Sequence, residues 1–323
     1  MKANRKTIIY AICLIAAIIL PLVFGGNYFI SLYGQTLINI IIVFGLNFIT
    51  GLTRNMNLGT AGIMALGAYA SGILYVKFGV SPWLGLAAAI VVGYLIGKGL
   101  GYPSLRVSGV YLSLTTIAFG EIVRLILNNT MDLTGGAQGL SNLSSYSIFG
   151  FEISRGLPFY YFLLVIMLIM LWISTRIVRS KWGRAFKAIS DNPDAAESLG
   201  IDIAKVKVLA FTLASIYASF GGALYAHLMG YINPATFNFD MSIDFVVMLM
   251  VGGIGVVSGN IIGAIVVTML PELLRFLGNY YQLVFYLIAF IGAIKLPQGW
   301  PAGLASLWKW IVKKTGLKSR KEG

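Results

Sequence analysis

The sequence predicts an all-α polytopic membrane protein with about ten transmembrane or re-entrant helices, counted as apolar stretches of roughly 17–25 residues. Hydrophobic residues make up 58% of the 323 residues, charged residues only 11%, and the mean hydropathy is +0.84. Globular domains carry roughly 25% charged residues, so lipid solvates most of this chain. A segment in lipid has to satisfy its own backbone hydrogen bonds, which a helix does.

The predicted spans follow one another with short polar connections. The third span is unusually rich in Gly, Ala and Ser, and the eighth and ninth meet at a glycine-dense turn over residues 252–260. Small residues permit either close helix–helix approach or a broken, re-entrant helix, and both remain open for the third span. The predicted spans are 7–24, 29–50, 58–76, 82–100, 107–127, 158–178, 206–229, 242–257, 261–276 and 280–296.

Basic residues predict the orientation. If ten spans alternate, all of the 24 Lys and Arg residues except Lys77, Arg124, Arg155 and Arg275 fall in segments on one side of the membrane. Cytoplasmic segments carry the excess of Lys and Arg, so we expect both termini to be cytoplasmic. This asymmetry accounts for most of the net charge of +13 without a nucleic-acid partner.

The residues offer little for catalysis, metal binding or nucleotide binding. Cys13 and His227 are the only residues of their types, so neither a disulfide framework nor a Cys or His metal site can form within the chain. We interpret His227 as a helix-packing hydrogen bonder, which leaves an intramembrane enzyme as the weakest class of function. The Gly-rich segment 134–140 lacks the Lys of a phosphate-binding loop, and residues 93–99 are one residue too short for one. We therefore expect no enzyme activity, no bound cofactor and no metal, and we interpret 134–140 as a flexible loop.

Two spans contain opposite charges three residues apart. Glu121 and Arg124 form one such pair, and Glu272 and Arg275 form the other. A single charge costs about 2.5–3.5 kcal/mol at the centre of a spanning helix, so each needs a partner or the interface. The pairs either lock helices together, rim the outer mouth of a pathway or contact a docking protein. Scattered Asn, Ser and Thr side chains are mostly interhelical hydrogen bonders in this interpretation.

The longest polar interruption, residues 180–201, carries signals for its own short helix. Asn192 suits the cap, Pro193 the first helical position, Asp194 the positive helix end and Gly200 the exit. These signals predict a helix over Pro193 to Leu199 outside the membrane.

Several segments resemble branched-chain amino-acid ABC-transporter permeases of the LivM type, and the likeness covers most of the chain. In the polar interruption the similar residues are Ser180, Gly183, Arg184, Ala185, Ala188, Ile189, Ala195, Ala196, Gly200 and Ile201. Elsewhere they lie in segments 57–62, 66–69, 108–120, 134–140 and 245–263.

The resemblance implies a type II-like ABC importer permease in the cell (plasma or inner) membrane, with residues 1–323 forming one transmembrane permease domain. It implies a cytoplasmic coupling loop at 179–206, and residues 300–323 are predicted to form a basic interfacial tail. The implied partners are a second homologous permease subunit, two cytoplasmic ATP-binding subunits that use ATP, an extracytoplasmic solute-binding protein and the lipid bilayer. The implied coupling residues are Gly183, Arg184, Ala185, Asp191, Pro193, Asp194, Ala195, Ala196, Glu197 and Gly200.

The expected function is therefore passage of branched-chain, hydrophobic amino acids, driven by separate ATPase subunits. The alternatives are a permease of the same family for another small solute, or a secondary transporter that needs no ATPase. A secondary transporter usually has an acid relay inside its spans, which this sequence does not contain. The candidate residues for the pathway or its outer mouth are Asn57, Gly59, Thr115, Thr116, Glu121, Arg124, Gly252, Gly253, Glu272 and Arg275.

Overall fold

A computed structural model describes residues 15–23, 25–103, 107, 109–148, 151–280, 283–284 and 286–287. Within these residues, six helices are long and apolar enough to cross a membrane. They match the second to seventh predicted spans to within a few residues at their ends. The mostly helical fold is confirmed, and the chain is a multi-span membrane protein.

The helices are numbered here in chain order from the first complete one. Residues 15–23 are also helical, and α1 continues into one π-helical turn, Asn47–Gly51. The helices are α1 (Asn27–Leu46), α2 (Thr60–Phe78), α3 (Pro82–Gly101), α4 (Val110–Asn129), α5 (Met131–Thr134), α6 (Leu157–Arg179), α7 (Lys181–Asp191), α8 (Pro193–Ser198), α9 (Ile203–Met229), α10 (Phe239–Gly252) and α11 (Val257–Leu273).

The loop between α5 and α6 contains a short element that the all-α prediction did not include. Strands β1 (Ser147–Ile148) and β2 (Phe151–Glu152) form a short antiparallel ribbon in the loop before α6. The Gly-rich segment of the same loop is also more ordered than the predicted flexible loop. Its last residue, Leu140, exchanges backbone hydrogen bonds with Ile232, so the loop is pinned to the exit of α9.

Helix α9 lies at the centre of the bundle and packs against α1, α2, α3 and the π-helical turn. Small residues allow this packing, because a Cβ on Gly67 of α2 would overlap the backbone of Ser219, and one on Gly222 would overlap the carbonyl of Met64. On the α3 side, Gly93 and Gly97 approach the α9 backbone in the same way. Lipid gives helices no hydrophobic reason to associate, so such close approach provides the van der Waals contact that holds them.

The small residues of the third predicted span therefore serve close packing. The alternative of a broken, re-entrant helix is wrong for this segment, since α2 runs without interruption over 19 residues.

The break in the helices lies instead between α10 and α11. These helices contain 14 and 17 residues and pack against each other as a hairpin, with Gly259 against the carbonyl of Gly252 and Gly263 against that of Met248. The turn uses left-handed glycines, Gly253 at φ 103° and Gly255 at φ 80°. At 1.5 Å per residue, α10 is only about 21 Å long and shorter than the hydrocarbon core of about 30 Å. This geometry agrees with the short, glycine-broken helices expected here, although each helix begins three or four residues earlier than predicted.

Some predictions lie outside the described residues. These are half of the first span, 7–24, most of the tenth, 280–296, and the interfacial tail, 300–323.

A methyl group at the α2–α9 contact tests the packing. We expect Gly67→Ala to lower the melting temperature of the purified chain in detergent, because overpacking costs about 1–3 kcal/mol. Gly99→Ala is the matched control, since a Cβ at Gly99 meets nothing within 4 Å and Ala favours a helix by up to about 1 kcal/mol. Equal melting of the two variants would contradict the packing argument.

Candidate translocation pathway and coupling site

The N-terminus of α2 is held by side chains from three elements. The first N–H groups of a helix have no partner within it, and the two residues before Thr60 also need acceptors for their N–H groups. The Gly59 N–H donates to Asn57 Oδ1 (2.9 Å), the Leu58 N–H donates to Thr116 Oγ1 of α4 (3.0 Å), and the Ala61 N–H donates to Ser242 Oγ of α10 (3.0 Å). The start of α2 is thereby tied to both α4 and α10.

Two glycines bring α2 and α4 together at the same place. A Cβ on Gly59 would overlap the carbonyl of Thr116, and a Cβ on Gly62 would lie 2.6 Å from the Cα of Gly120. The structure therefore places three predicted pathway residues, Asn57, Gly59 and Thr116, in one contact.

A narrow cleft opens beside this contact. It lies between α2, α4 and the start of α10, and Glu121 stands at its α4 side. The cleft is lined by Leu58, Ala61, Gly62, Ile117, Gly120, Glu121, Phe237, Asn238, Phe239 and Ser242.

Glu121 and Arg124 form an ion pair on α4. Glu121 Oε2 accepts from Arg124 Nη2 (2.8 Å) and Nε (2.9 Å), and the two side chains are 35% and 33% exposed. The predicted pairing on one helix face is therefore present, with a third of each side chain accessible. Thr115 is separate from this group, because it is exposed and its hydroxyl donates to the Tyr111 carbonyl of its own helix (2.8 Å).

The second pair, Glu272 and Arg275, lies at the end of α11. Arg275 Nη1 is 3.2 Å from Glu272 Oε1, and Glu272 Oε2 accepts a hydrogen bond from the Tyr28 hydroxyl (2.7 Å). Tyr28 belongs to α1, so this pair links two helices. The structure does not bring it to the cleft beside Glu121.

Gly252 and Gly253 lie at the hairpin turn between α10 and α11. The turn docks on the π-helical end of α1, where the Gly255 N–H donates to Asn47 Oδ1 (2.9 Å). These glycines are therefore also separate from Glu121, although Ser242 of the same helix binds the start of α2. Asn47 is one of the interhelical hydrogen bonders that the sequence indicates.

The predicted coupling loop begins with a helix, α7, that sequence reasoning missed. Ser180 Oγ caps it by accepting from the Trp182 N–H (3.2 Å). Phe186 and Ile189 are buried against the bundle, and their spacing along a polar stretch is a signal that could have revealed the helix. Gly183 is required for the turn, since a Cβ there would overlap the Val178 carbonyl at the end of α6.

Helix α8 forms almost as predicted and ends one residue earlier. Asn192 Oδ1 accepts from the Ala195 N–H (3.0 Å), and Pro193 is the first helical residue. At the exit, the Gly200 N–H donates to the Glu197 carbonyl (2.8 Å) and the Ile201 N–H to the Ala196 carbonyl (3.1 Å). This is a Schellman motif, which needs the left-handed Gly200 at φ 82°.

The outward face of α8 is open. Ala196 is the buried residue through which it rests on the protein, whereas Asp191, Asp194 and Glu197 are exposed and Leu199 is 82% exposed. Pro193 and Ala195 are exposed as well, and so is Arg184 on α7, while Ala185 is half-buried. Within the described part of the chain, Arg184 makes no ion pair.

The loop passes directly into α9. Asp202 caps this helix through the Lys205 N–H (2.9 Å), and its other carboxylate oxygen lies 2.8 Å from Lys205 Nζ. The hydrogen bond from the Lys205 side chain, and then that from the Lys205 backbone, hold the pKa of Asp202 below its usual value. Both ends of α8 are therefore joined to the bundle by short, capped connections.

His227 is a structural hydrogen bonder, as predicted. It is fully buried in α9, with Nε2 2.8 Å from Ser71 Oγ and Nδ1 2.7 Å from the Ser144 carbonyl. A carbonyl only accepts, so Nδ1 carries the proton and Nε2 accepts from Ser71. Arg155 donates to the His227 carbonyl beside it (3.2 Å). This cluster holds the loop before α6 on α2 and α9.

Comparison with known proteins agrees with this architecture. The family model of the permease component of the branched-chain amino acid transport system matches residues 28–294. The high-affinity branched-chain amino acid transport system permease protein LivM of Salmonella typhimurium is 31% identical, over 92% of this chain and 75% of that protein. LivM of Escherichia coli is 32% identical, over 82% of this chain and 68% of that protein.

The chain therefore belongs to the family of permease components of the branched-chain amino acid transport system. One solved structure, described as an inward-facing conformation of a metal-chelate type ABC transporter, is similar with a TM-score of 0.46 at 16% identity. That likeness covers 81% of this chain and 82% of the other.

Two neighbouring threonines test the α2–α4 contact. We expect Thr116→Val to destabilise the folded chain, because it leaves the N–H of the half-buried Leu58 without its acceptor, at a cost of about 1–3 kcal/mol. Thr115→Val removes a hydroxyl that bonds only its own helix and should have little effect. Melting temperatures of the two variants in detergent check this, and Thr116→Ser should restore the wild-type value. If Thr116→Val and Thr115→Val have the same melting temperature, the hydrogen bond between Leu58 and Thr116 does not contribute to stability.

Proposed function

We propose that this chain forms the translocation pathway for branched-chain, hydrophobic amino acids in an ABC importer whose ATPase subunits are separate proteins. The observation that carries the proposal is α8: a helix capped at both ends, exposed on its outward face and set in the most basic loop of a permease-family chain. A helix of this length buries little of itself alone, so a partner surface is expected to receive it. The importer would be completed by a second homologous permease subunit, two cytoplasmic ATP-binding subunits and an extracytoplasmic solute-binding protein.

The orientation belongs to the same proposal. Both termini and the loop 179–206 lie in the cytoplasm, and the loop with the β-ribbon lies on the outer side. The distribution of Lys and Arg supports this arrangement. ATP would be used by the partner subunits alone.

Coupling would proceed by rigid-body movement. The connections on either side of α8 are too short for it to move independently. Asn192 alone separates it from α7, and Leu199 to Asp202 separate it from α9. Helix α7 is fixed in turn to the end of α6 through Gly183. A partner that displaces α8 would therefore displace α6 and α9, and α9 is the central helix of the bundle.

The pathway would run along α4. This helix is the least buried of the six long helices, and its exposed surface includes Leu114, Thr115 and Ile122. The same helix carries the accessible Glu121–Arg124 pair, and charges facing lipid are unfavourable. We infer that a second permease subunit covers this face and that the pair lines the aqueous path between the two subunits.

The coupling proposal is tested by the exit of α8. We expect Gly200→Pro to abolish uptake of radiolabelled leucine while the partner ATPase continues to hydrolyse ATP, because Pro fixes φ near −65° and removes the N–H that Glu197 accepts. Charge reversal by Arg184→Glu should have the same effect, and Lys187→Glu, one turn further along α7, is the control for net charge. Uptake and hydrolysis are measured in proteoliposomes with all subunits. Wild-type coupling in both variants would remove the assignment, and uptake without any ATPase subunit would overturn the importer function itself.

The pathway proposal is tested by exchanging the charges on α4. We expect Glu121→Arg and Arg124→Glu, made singly, to lower the amount of folded protein, because each places two like charges one helical turn apart. The double exchange restores the ion pair and should restore folding. It should not restore leucine uptake if the pair faces the zwitterionic substrate, because the positions of the charges are reversed. Full uptake by the exchanged protein would show that the pair is only structural.

A further inference from the structure

The lipid-facing stripe of α6 ends in a cluster of basic residues. Val165, Ile169 and Trp172 are 56%, 51% and 60% exposed, and their spacing places them on one face of the helix. Arg176 is the next residue on that face, followed by Arg179 in the last turn, and both are exposed. The apolar surface therefore passes into positive charge at the end of the span, where lipid headgroups begin.

Two tryptophans accompany these cations. The Arg176 guanidinium lies 5.4 Å from the ring centre of Trp172, and Lys181 Nζ lies 5.5 Å from that of Trp182. Trp182 is 40% exposed, and it follows Ser180, where the chain turns from α6 into α7. Tryptophan is enriched at the level of lipid headgroups, where one end of the ring is apolar and the other is wet.

Among the described residues, no carboxylate forms an ion pair with this cluster. The sequence between Glu152 and Asp191 contains no Asp or Glu. The ion pairs among the described residues join Arg124 to Glu121, Lys205 to Asp202 and Arg275 to Glu272. Arg176, Arg179 and Lys181 therefore present three positive charges that an external anion can bind.

We propose that Trp172, Arg176, Arg179, Lys181 and Trp182 form a binding site for an anionic phospholipid. The acyl chains would lie along Val165 and Ile169, and the phosphate would be held by the two arginines and the lysine. Arginine binds phosphate with two parallel hydrogen bonds. Each Lys or Arg near an anionic membrane surface contributes about 1 kcal/mol of attraction to that surface. Because the cations continue an apolar stripe, the ligand has both an apolar and an anionic part, which a lipid supplies and free phosphate does not.

The site lies at the joint that positions α8. Ser180 both ends α6 and caps α7, and α7 leads through Asn192 to α8. A lipid bound across the α6–α7 connection would hold the angle between these two helices. Anionic lipid would then influence the position of α8 relative to the bundle without contacting α8.

The test uses the purified full-length chain in bilayer nanodiscs and needs neither the ATPase nor a substrate. Brominated phosphatidylglycerol should quench tryptophan fluorescence more strongly than brominated phosphatidylcholine, and this difference should shrink more in Trp172→Phe/Trp182→Phe than in Trp308→Phe/Trp310→Phe, which removes two tryptophans of the basic tail. In Arg176→Gln/Arg179→Gln the apparent affinity for phosphatidylglycerol should fall roughly tenfold or more. Lys77→Gln/Lys205→Gln removes the same charge elsewhere and should retain wild-type affinity.

Several results would overturn the proposal. They are equal quenching by the two lipids, equal affinity in the two double variants, or displacement of phosphatidylglycerol by inorganic phosphate at the same concentration. Loss of a co-purifying ATPase in Arg176→Gln/Arg179→Gln with unchanged lipid preference would assign the cluster to a protein partner instead. Native mass spectrometry of the lipids retained in detergent gives an independent measure for the same variants.

Discussion

The close approach of helix backbones around α9 is the constraint on which the rest of the structure depends. In lipid, helices associate through shape and van der Waals contact, and Gly67, Gly93 and Gly222 let three backbones meet without side chains between them. Once α2 is fixed against α9, its N-terminus lies beside α4 and α10, where Thr116 and Ser242 cap it. The candidate pathway is thus a consequence of the packing at the centre.

The same central helix connects the two candidate sites. Helix α9 begins shortly after α8, at the residue that follows Asp202, and extends past Ser219 to His227, whose ring and carbonyl hold the loop before α6. It is 27 residues long, and at 1.5 Å per residue about 40 Å, longer than the hydrocarbon core. Under the coupling proposed above, a displacement of α8 would act on the helix that α1, α2 and α3 surround, so the bundle would respond by moving as a rigid body.

Local signals predicted α8 well, because its caps depend on nearest neighbours. Asn192, Pro193 and Gly200 act on backbone groups within a few residues, and the structure places each in the predicted role. The neighbouring helix α7 was missed because Phe186 and Ile189 are isolated apolar residues in a charged stretch. They are buried only because the rest of the bundle packs against them. The glycine-dense segment 252–260 indicated a break, but the turn falls at Gly253 to Gly255 because Asn47 binds it there.

By itself, the sequence determined that the chain is a helical membrane protein, where most spans lie and where the polar loop forms a capped helix. Hydropathy, charge and caps are local or additive properties, so they can be summed along the chain. Only the tertiary structure decided that Thr116 binds α2 while the adjacent Thr115 does not, and that Glu121 borders the cleft while Glu272 binds Tyr28. Those outcomes depend on which helix faces meet, and in lipid that choice depends on shape complementarity between segments distant in sequence.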